Sequence, residues 1–65
     1  MIGEVRWFNT KKGFGFIKSD NTDYFVFYKN ILMGGYRKLE VGQKVTFELK
    51  PYQGYKQATH VKLYG

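Results

Sequence analysis

Two stretches of this 65-residue chain combine rings and small residues at spacings that suit recognition of flat molecules: Lys12-Gly13-Phe14-Gly15-Phe16-Ile17 and Tyr24-Phe25-Val26-Phe27-Tyr28. Side chains alternate between the two faces of an extended strand, so Phe14 and Phe16 project together, ~6.5 Å apart along the chain. Phe25 and Phe27 repeat the arrangement on the next segment. Neighbouring bases of a splayed single strand could each find a ring at that spacing. A base stacked on an aromatic contributes ~1 to 3 kcal/mol and does so tolerantly of sequence, because every base has a π face. The alternative puts Phe14 and Phe16 in the core and the glycines on a crowded outer face. Outward rings are favoured, since Ile17 shares the glycine face and twelve Ile, Leu and Val residues are available to fill a small core.

Composition points the same way. Phe, Tyr and Trp make up 20% of the chain, and 11 basic against 5 acidic residues leave a formal charge of +6. So many rings exceed what a small core can absorb, and exposed apolar rings signal a recognition surface. A basic surface with spare rings suits a polyanion whose units also stack, with nucleic acid the first candidate and a membrane surface the second. The length fits one domain over residues 1–65, expected to be a monomer. The lack of cysteine excludes disulfides, thiol catalysis and cysteine-ligated zinc, and it suits a reducing cytoplasm. The longest apolar run, Tyr24 to Tyr28, is far short of the ~20 residues of a spanning helix, so a cytoplasmic location without membrane attachment is expected.

Other chemistries find no support. His60 is the single histidine and has no second ligand with which to build a zinc site, so it reads as a surface strand residue. Glu4, Asp20, Asp23, Glu40 and Glu48 are scattered without a signature of acid–base catalysis. Gly13-Phe14-Gly15 lacks the third glycine of a dinucleotide fingerprint, because Lys18 stands there. No enzyme activity, cofactor or metal is expected.

The elements that must carry the rings are short strands. Turn signals at 11–13, 20–22, 34–35, 41–43 and 51–54 separate β-rich stretches near 2–9, 14–19, 23–29, 44–50 and 56–63. Val45, Phe47 and Leu49 alternate cleanly with polar residues, and Thr59, Val61 and Leu63 form a similar face. Strict alternation separates Val5 from Phe8, so if both are core the first strand must contain a bulge. Residues 30–43 form the longest connection. Ile31, Leu32 and Leu39 are expected to anchor it, with a helical turn at Asn30 to Met33 and a mobile tip at Gly34-Gly35-Tyr36. Five strands without an amphipathic helix indicate a small all-β barrel, of OB-like or SH3-like type.

The chain resembles the bacterial cold-shock proteins, the single cold-shock domain family. Lys12 to Ile17 matches the family's first ribonucleoprotein motif, and Tyr24 to Tyr28 occupies the place of the second. Gly3, Val5-Arg6-Trp7-Phe8-Asn9, Gly35-Tyr36, Leu39 to Glu48 and Gln57-Ala58 with Val61 extend the likeness over nearly the whole chain. The resemblance implies a five-stranded antiparallel OB-fold barrel that binds single-stranded RNA and DNA with little sequence selectivity and acts as an RNA chaperone. It implies a stacking platform of Trp7, Phe14, Phe16, Phe25, Phe27, Tyr28 and Tyr36, with positive charge from Arg6, Lys12 and Arg37. Asp23 stands at an acidic position that can accept a base N–H, and capping of its own hairpin is an equal reading.

Several residues depart from the family pattern. Phe27 replaces a His and Tyr28 a Phe, which keeps the π faces while altering base preference. Tyr24 replaces an inward aliphatic, Lys29-Asn30 a Ser-Ala, and Tyr55-Lys56 a Gly-Pro. Many relatives are acidic, whereas this chain is +6, which predicts a steeper salt dependence. Tyr52 and Tyr55, which flank Gly54, could extend the binding surface or be ordinary solvent-exposed loop tyrosines. An RNA-recognition motif is excluded by Ser19, where that motif carries another aromatic, and by the lack of helices. The competing readings are an SH3-like barrel that takes Pro-rich peptides, which explains the rings but not the charge, and a basic barrel that bends duplex DNA.

Overall fold

The computed structural model describes residues 1–32 and 39–64. Five strands, β1 (Ile2–Asn9), β2 (Phe14–Ser19), β3 (Thr22–Phe27), β4 (Lys44–Tyr52) and β5 (Tyr55–Leu63), close into a barrel in the order β1-β2-β3-β5-β4. The pairings are antiparallel except β3 with β5, which run parallel through Phe25 opposite Gln57 and Val26 opposite Ala58. Closure pairs every strand on both sides, so this short chain leaves no free sheet edge.

Period-two alternation sorts the side chains. Val5, Ile17, Val26, Val45 and Val61 are fully buried from five different strands, joined by Ile31, Phe47, Ala58 and Leu39. The aliphatic residues thus fill the barrel, as their number suggested. Among the described residues Phe47 is the only aromatic in this buried set; Phe8 and Tyr24 pack against it half-buried. Tyr24 lies with its ring centroid 6.0 Å from that of Phe47.

Two register shifts correct the simple alternation. In β1, Val5 pairs with Ile17 but Trp7 with Phe16, so Arg6 is an extra residue, and Val5 and Phe8 both turn inward as the sequence required. In β5 the expected face of Thr59, Val61 and Leu63 does not hold. Thr46 pairs with Lys62 but Glu48 with Thr59, so two residues of β5, His60 and Val61, oppose Phe47. His60 takes φ +52°, and the bulge aims Ala58 as well as Val61 into the core. Thr59 remains buried with its Oγ1 donating to the Glu48 carbonyl at 3.4 Å, whereas Leu63 is exposed.

The tight hairpins share one turn geometry. Asp20 and Asn21 join β2 to β3, and Gln53 and Gly54 join β4 to β5, with positive φ at all four positions, the signature of two-residue type I′ turns. Asn, Asp and Gly suit that region; Gln53 does not, and holding an ordinary side chain there costs ~1 to 2 kcal/mol.

β3 ends two residues before the expected boundary. A single 3-10 turn, Tyr28–Asn30, follows it in place of the helical turn expected at 30–33. Ile31 then bridges to Val61, and the Leu32 amide donates to the Val61 carbonyl at 2.7 Å. Leu32 is therefore anchored by its backbone while its side chain is exposed. The tip at Gly34-Gly35-Tyr36, and Arg37, lie outside the described residues.

Candidate nucleic-acid interface

The strand registers set the outward rings in rows across the barrel. Trp7 pairs with Phe16, Phe16 with Phe25, Phe25 with Gln57 and Gln57 with Lys50, so one row crosses β1, β2, β3, β5 and β4. A second row runs Asn9, Phe14, Phe27. Without the extra residue at Arg6, Trp7 would fall on the inner face. The bulge therefore brings β1 into the ring surface, and it leaves Arg6 exposed beside Trp7.

Four of these rings form a continuous band. Trp7 lies 5.5 Å from Phe14, edge to face, and 6.4 Å from Phe16. Phe25 stacks on Phe14 at 5.7 Å and meets Phe16 edge-on at 5.9 Å. Trp7, Phe16 and Tyr28 are each more than a third exposed, and Phe14, Phe25 and Phe27 are half-buried. The Phe27 and Tyr28 rings pack 4.9 Å apart.

The glycines of the first motif lie on the inner face with Ile17, opposite the outward rings, as the alternation suggested. Gly15 is buried, and a Cβ there would collide with the Trp7 carbonyl and lie 2.7 Å from the Phe8 Cα. The missing side chain lets bulged β1 approach β2. Gly13, at φ +76°, lies under Tyr28, whose Cδ1 would be 2.7 Å from an added Cβ; its carbonyl accepts from the Tyr28 amide at 2.7 Å. Gly13 and Gly15 thus hold Tyr28 and Trp7 in place from beneath.

The charged residues distribute around the band. Lys12 is exposed in the loop before Gly13, its amide donating to Asn9 Oδ1 at 2.9 Å. Asp23 is exposed at the start of β3 opposite Lys18, in a shallow groove that Phe16, Phe25, Tyr55 and Lys56 also line. The side-chain bond of that hairpin belongs to Thr22, whose Oγ1 donates to the Asp20 carbonyl at 3.4 Å. Lys44 is engaged on another part of the barrel, 3.0 Å from Glu4. His60 Nδ1 lies 3.2 Å from Thr59 Oγ1 on an exposed bulge, and no cluster of metal-ligating side chains occurs among the described residues. No helix among them is long and apolar enough to cross a membrane.

The profile of the "'Cold-shock' DNA-binding domain" family matches residues 1–64. This chain belongs to the cold-shock domain family. Relatives include cold shock protein ScoF of Streptomyces coelicolor, 48% identical over 61 residues covering 91% of each chain, and a cold shock-like protein of Thermotoga maritima, 45% identical over 64 residues covering 97% of each. A solved structure described as drosophila Unr CSD456 superposes on 98% of this chain with a TM-score of 0.80 at 20% identity, and the chain spans 26% of it. That likeness concerns fold, and the cold-shock domain here is a five-stranded OB-fold barrel.

Within this cold-shock domain the structure brings together Trp7, Phe14, Phe16 and Phe25, with Phe27 beside Phe14, Asp23 in the adjoining groove, and Lys12 and Tyr28 near them in the chain; Arg6, although next to Trp7, lines a separate polar groove with Glu4, Lys18, Asp20 and Lys44, and Tyr36 and Arg37 fall outside the described residues. Sequence reasoning undervalued the β5 side. Tyr55 meets Phe25 at 6.1 Å, and Gln57, Lys50 and Lys56 border the same surface. The available signal was the replacement of Gly-Pro by Tyr55-Lys56.

Proposed function

We propose that this cold-shock domain binds single-stranded RNA and DNA with little sequence selectivity by stacking bases on its outward rings, and that it acts as an RNA chaperone. The observation that carries the reading is the band Trp7, Phe14, Phe16 and Phe25, rings in mutual contact on the outside of a barrel whose core is filled by aliphatics. Steps of 5.9 and 6.4 Å along Trp7, Phe16 and Phe25 far exceed the ~3.4 Å rise of a stacked strand. Bases that meet successive rings must therefore be splayed, which a duplex does not allow.

In this reading Phe27, Tyr28 and Tyr36 extend the stacking surface, and Arg6, Lys12 and Arg37 meet phosphates. Asp23 accepts a base N–H. Stacking supplies most of the affinity; the +6 charge raises the encounter rate and makes binding salt-sensitive. Preferring open strands over paired ones shifts hairpin equilibria toward the open state by mass action, without ATP or a catalytic group.

Quenching of Trp7 on titration with a short single strand, and with the corresponding duplex, tests this directly. Saturable quenching with preference for the single strand is expected. Equal affinity for both forms, or no response, refutes it, and saturable binding of a Pro-rich peptide alone would assign the rings to a polyproline helix.

A further inference from the structure

The ring band does not stop at β3. Phe25 meets Tyr55 at 6.1 Å with planes 87° apart, and Tyr55 meets Tyr52 at 6.0 Å and 80°. Tyr55 and Tyr52 are 45% and 50% exposed, as open as Trp7 at 45%. Edge-on contact covers at most one face of one partner, so ring faces stay free along this extension. The step from Phe25 to Tyr55 nearly equals the 5.9 Å from Phe16 to Phe25, so the spacing suited to splayed bases continues across the seam between β3 and β5.

Charge accompanies the rings. Lys56 lines the groove between Phe16, Phe25 and Tyr55, and Lys50 is exposed opposite Gln57, the partner of Phe25. The two tyrosines pair across a two-residue turn, which fixes their separation.

We propose that Tyr55, with Tyr52 beyond it, is an additional base-stacking subsite that carries the bound single strand off β1–β3 and onto the β4–β5 hairpin, where Lys50 and Lys56 meet its phosphates. This rests on the single-strand reading above. The occupant is one or two further nucleotides of the same strand, because the surface is continuous with the band and carries the complementary charge. The footprint is correspondingly longer than the first three strands alone provide.

The test is a length series of oligothymidylates from ~4 to ~8 nucleotides, followed by Trp7 quenching at fixed salt. For the unmodified protein, affinity should rise ~5- to ~150-fold for each nucleotide that gains a ring and then level off. Tyr55→Leu should level off at a shorter length, and Tyr55→Phe, which keeps the ring, should recover the full length. Parallel weakening of Tyr55→Leu at every length, or an unchanged plateau, overturns the subsite. Photocrosslinking of the unmodified protein to 5-iodouracil oligonucleotides gives a second readout that needs no variant. Crosslinks at Tyr52 or Tyr55 support the subsite, and crosslinks confined to β1–β3 overturn it. Failure of the unmodified protein to bind any length would instead remove the underlying single-strand reading.

Discussion

Trp7 sits directly across the β1–β2 ladder from Phe16 because Arg6 is an extra residue in β1, and the two ring centroids lie 6.4 Å apart on the outer face. Phe16 is more than a third exposed, whereas Phe14 is half-buried between Trp7 and Phe25. Phe16→Ala should therefore weaken single-strand binding by ~1 to 3 kcal/mol and leave the unfolding midpoint nearly unchanged. Phe14→Ala should lower both. Paired titrations and thermal unfolding check the contrast; a Phe16→Ala protein that fails to fold would return that ring to the core.

Gly15 supports Trp7 from the inside. An added methyl would meet the Trp7 carbonyl and the Phe8 backbone, neither of which can move aside as a flexible side chain does. Gly15→Ala is expected to cost ~3 kcal/mol, lowering Tm by more than ~10 °C in a domain of this size. Urea unfolding measures the loss, and wild-type stability would mean that β1 can shift outward freely.

Gln53 carries a backbone cost at φ +48° that a residue suited to the left-handed region would reduce. Gln53→Asn should stabilise the protein by ~0.5 to 1 kcal/mol, or ~2 to ~8 °C in Tm. A fall in Tm would show that the side chain contributes more than its backbone conformation costs.

Phosphate contacts have their own signature. Each one removed should flatten the logarithmic salt dependence of single-strand affinity by ~0.7. Arg6→Gln and Lys12→Gln are expected to do so, and Lys44→Gln, whose amine is engaged with Glu4 at 3.0 Å, is not. Identical slopes for all four proteins would exclude Arg6 and Lys12 from phosphate binding.

What could be read from the sequence was what depends on near neighbours. The alternation in Phe14 to Ser19 sets inside from outside without help, and the conflict between Val5 and Phe8 exposed the β1 bulge. The β5 bulge left no such trace, because Thr59, Val61 and Leu63 alternate cleanly in sequence, whereas the fully buried Ala58 and Val61 stand three residues apart. The end of β3 was missed for a similar reason: Tyr28 and Lys29 suit a strand as well as a 3-10 turn, and the choice follows from Tyr28 covering Gly13. Tyr55 remained ambiguous because its neighbour Phe25 reaches it through a parallel pairing between segments far apart in the chain.

That parallel pairing consists of two ladder positions, Phe25 with Gln57 and Val26 with Ala58, reinforced by the Ile31–Val61 bridge. No hairpin can join parallel neighbours, so the seam is a pairing between segments far apart in the chain, unlike the local β1-β2-β3 and β4-β5 hairpins. A strand lying from Phe25 to Tyr55 would be held on both sides of this join and would act as a stitch. Occupancy of that surface would then tie together two segments that only two ladder positions and one bridge otherwise join.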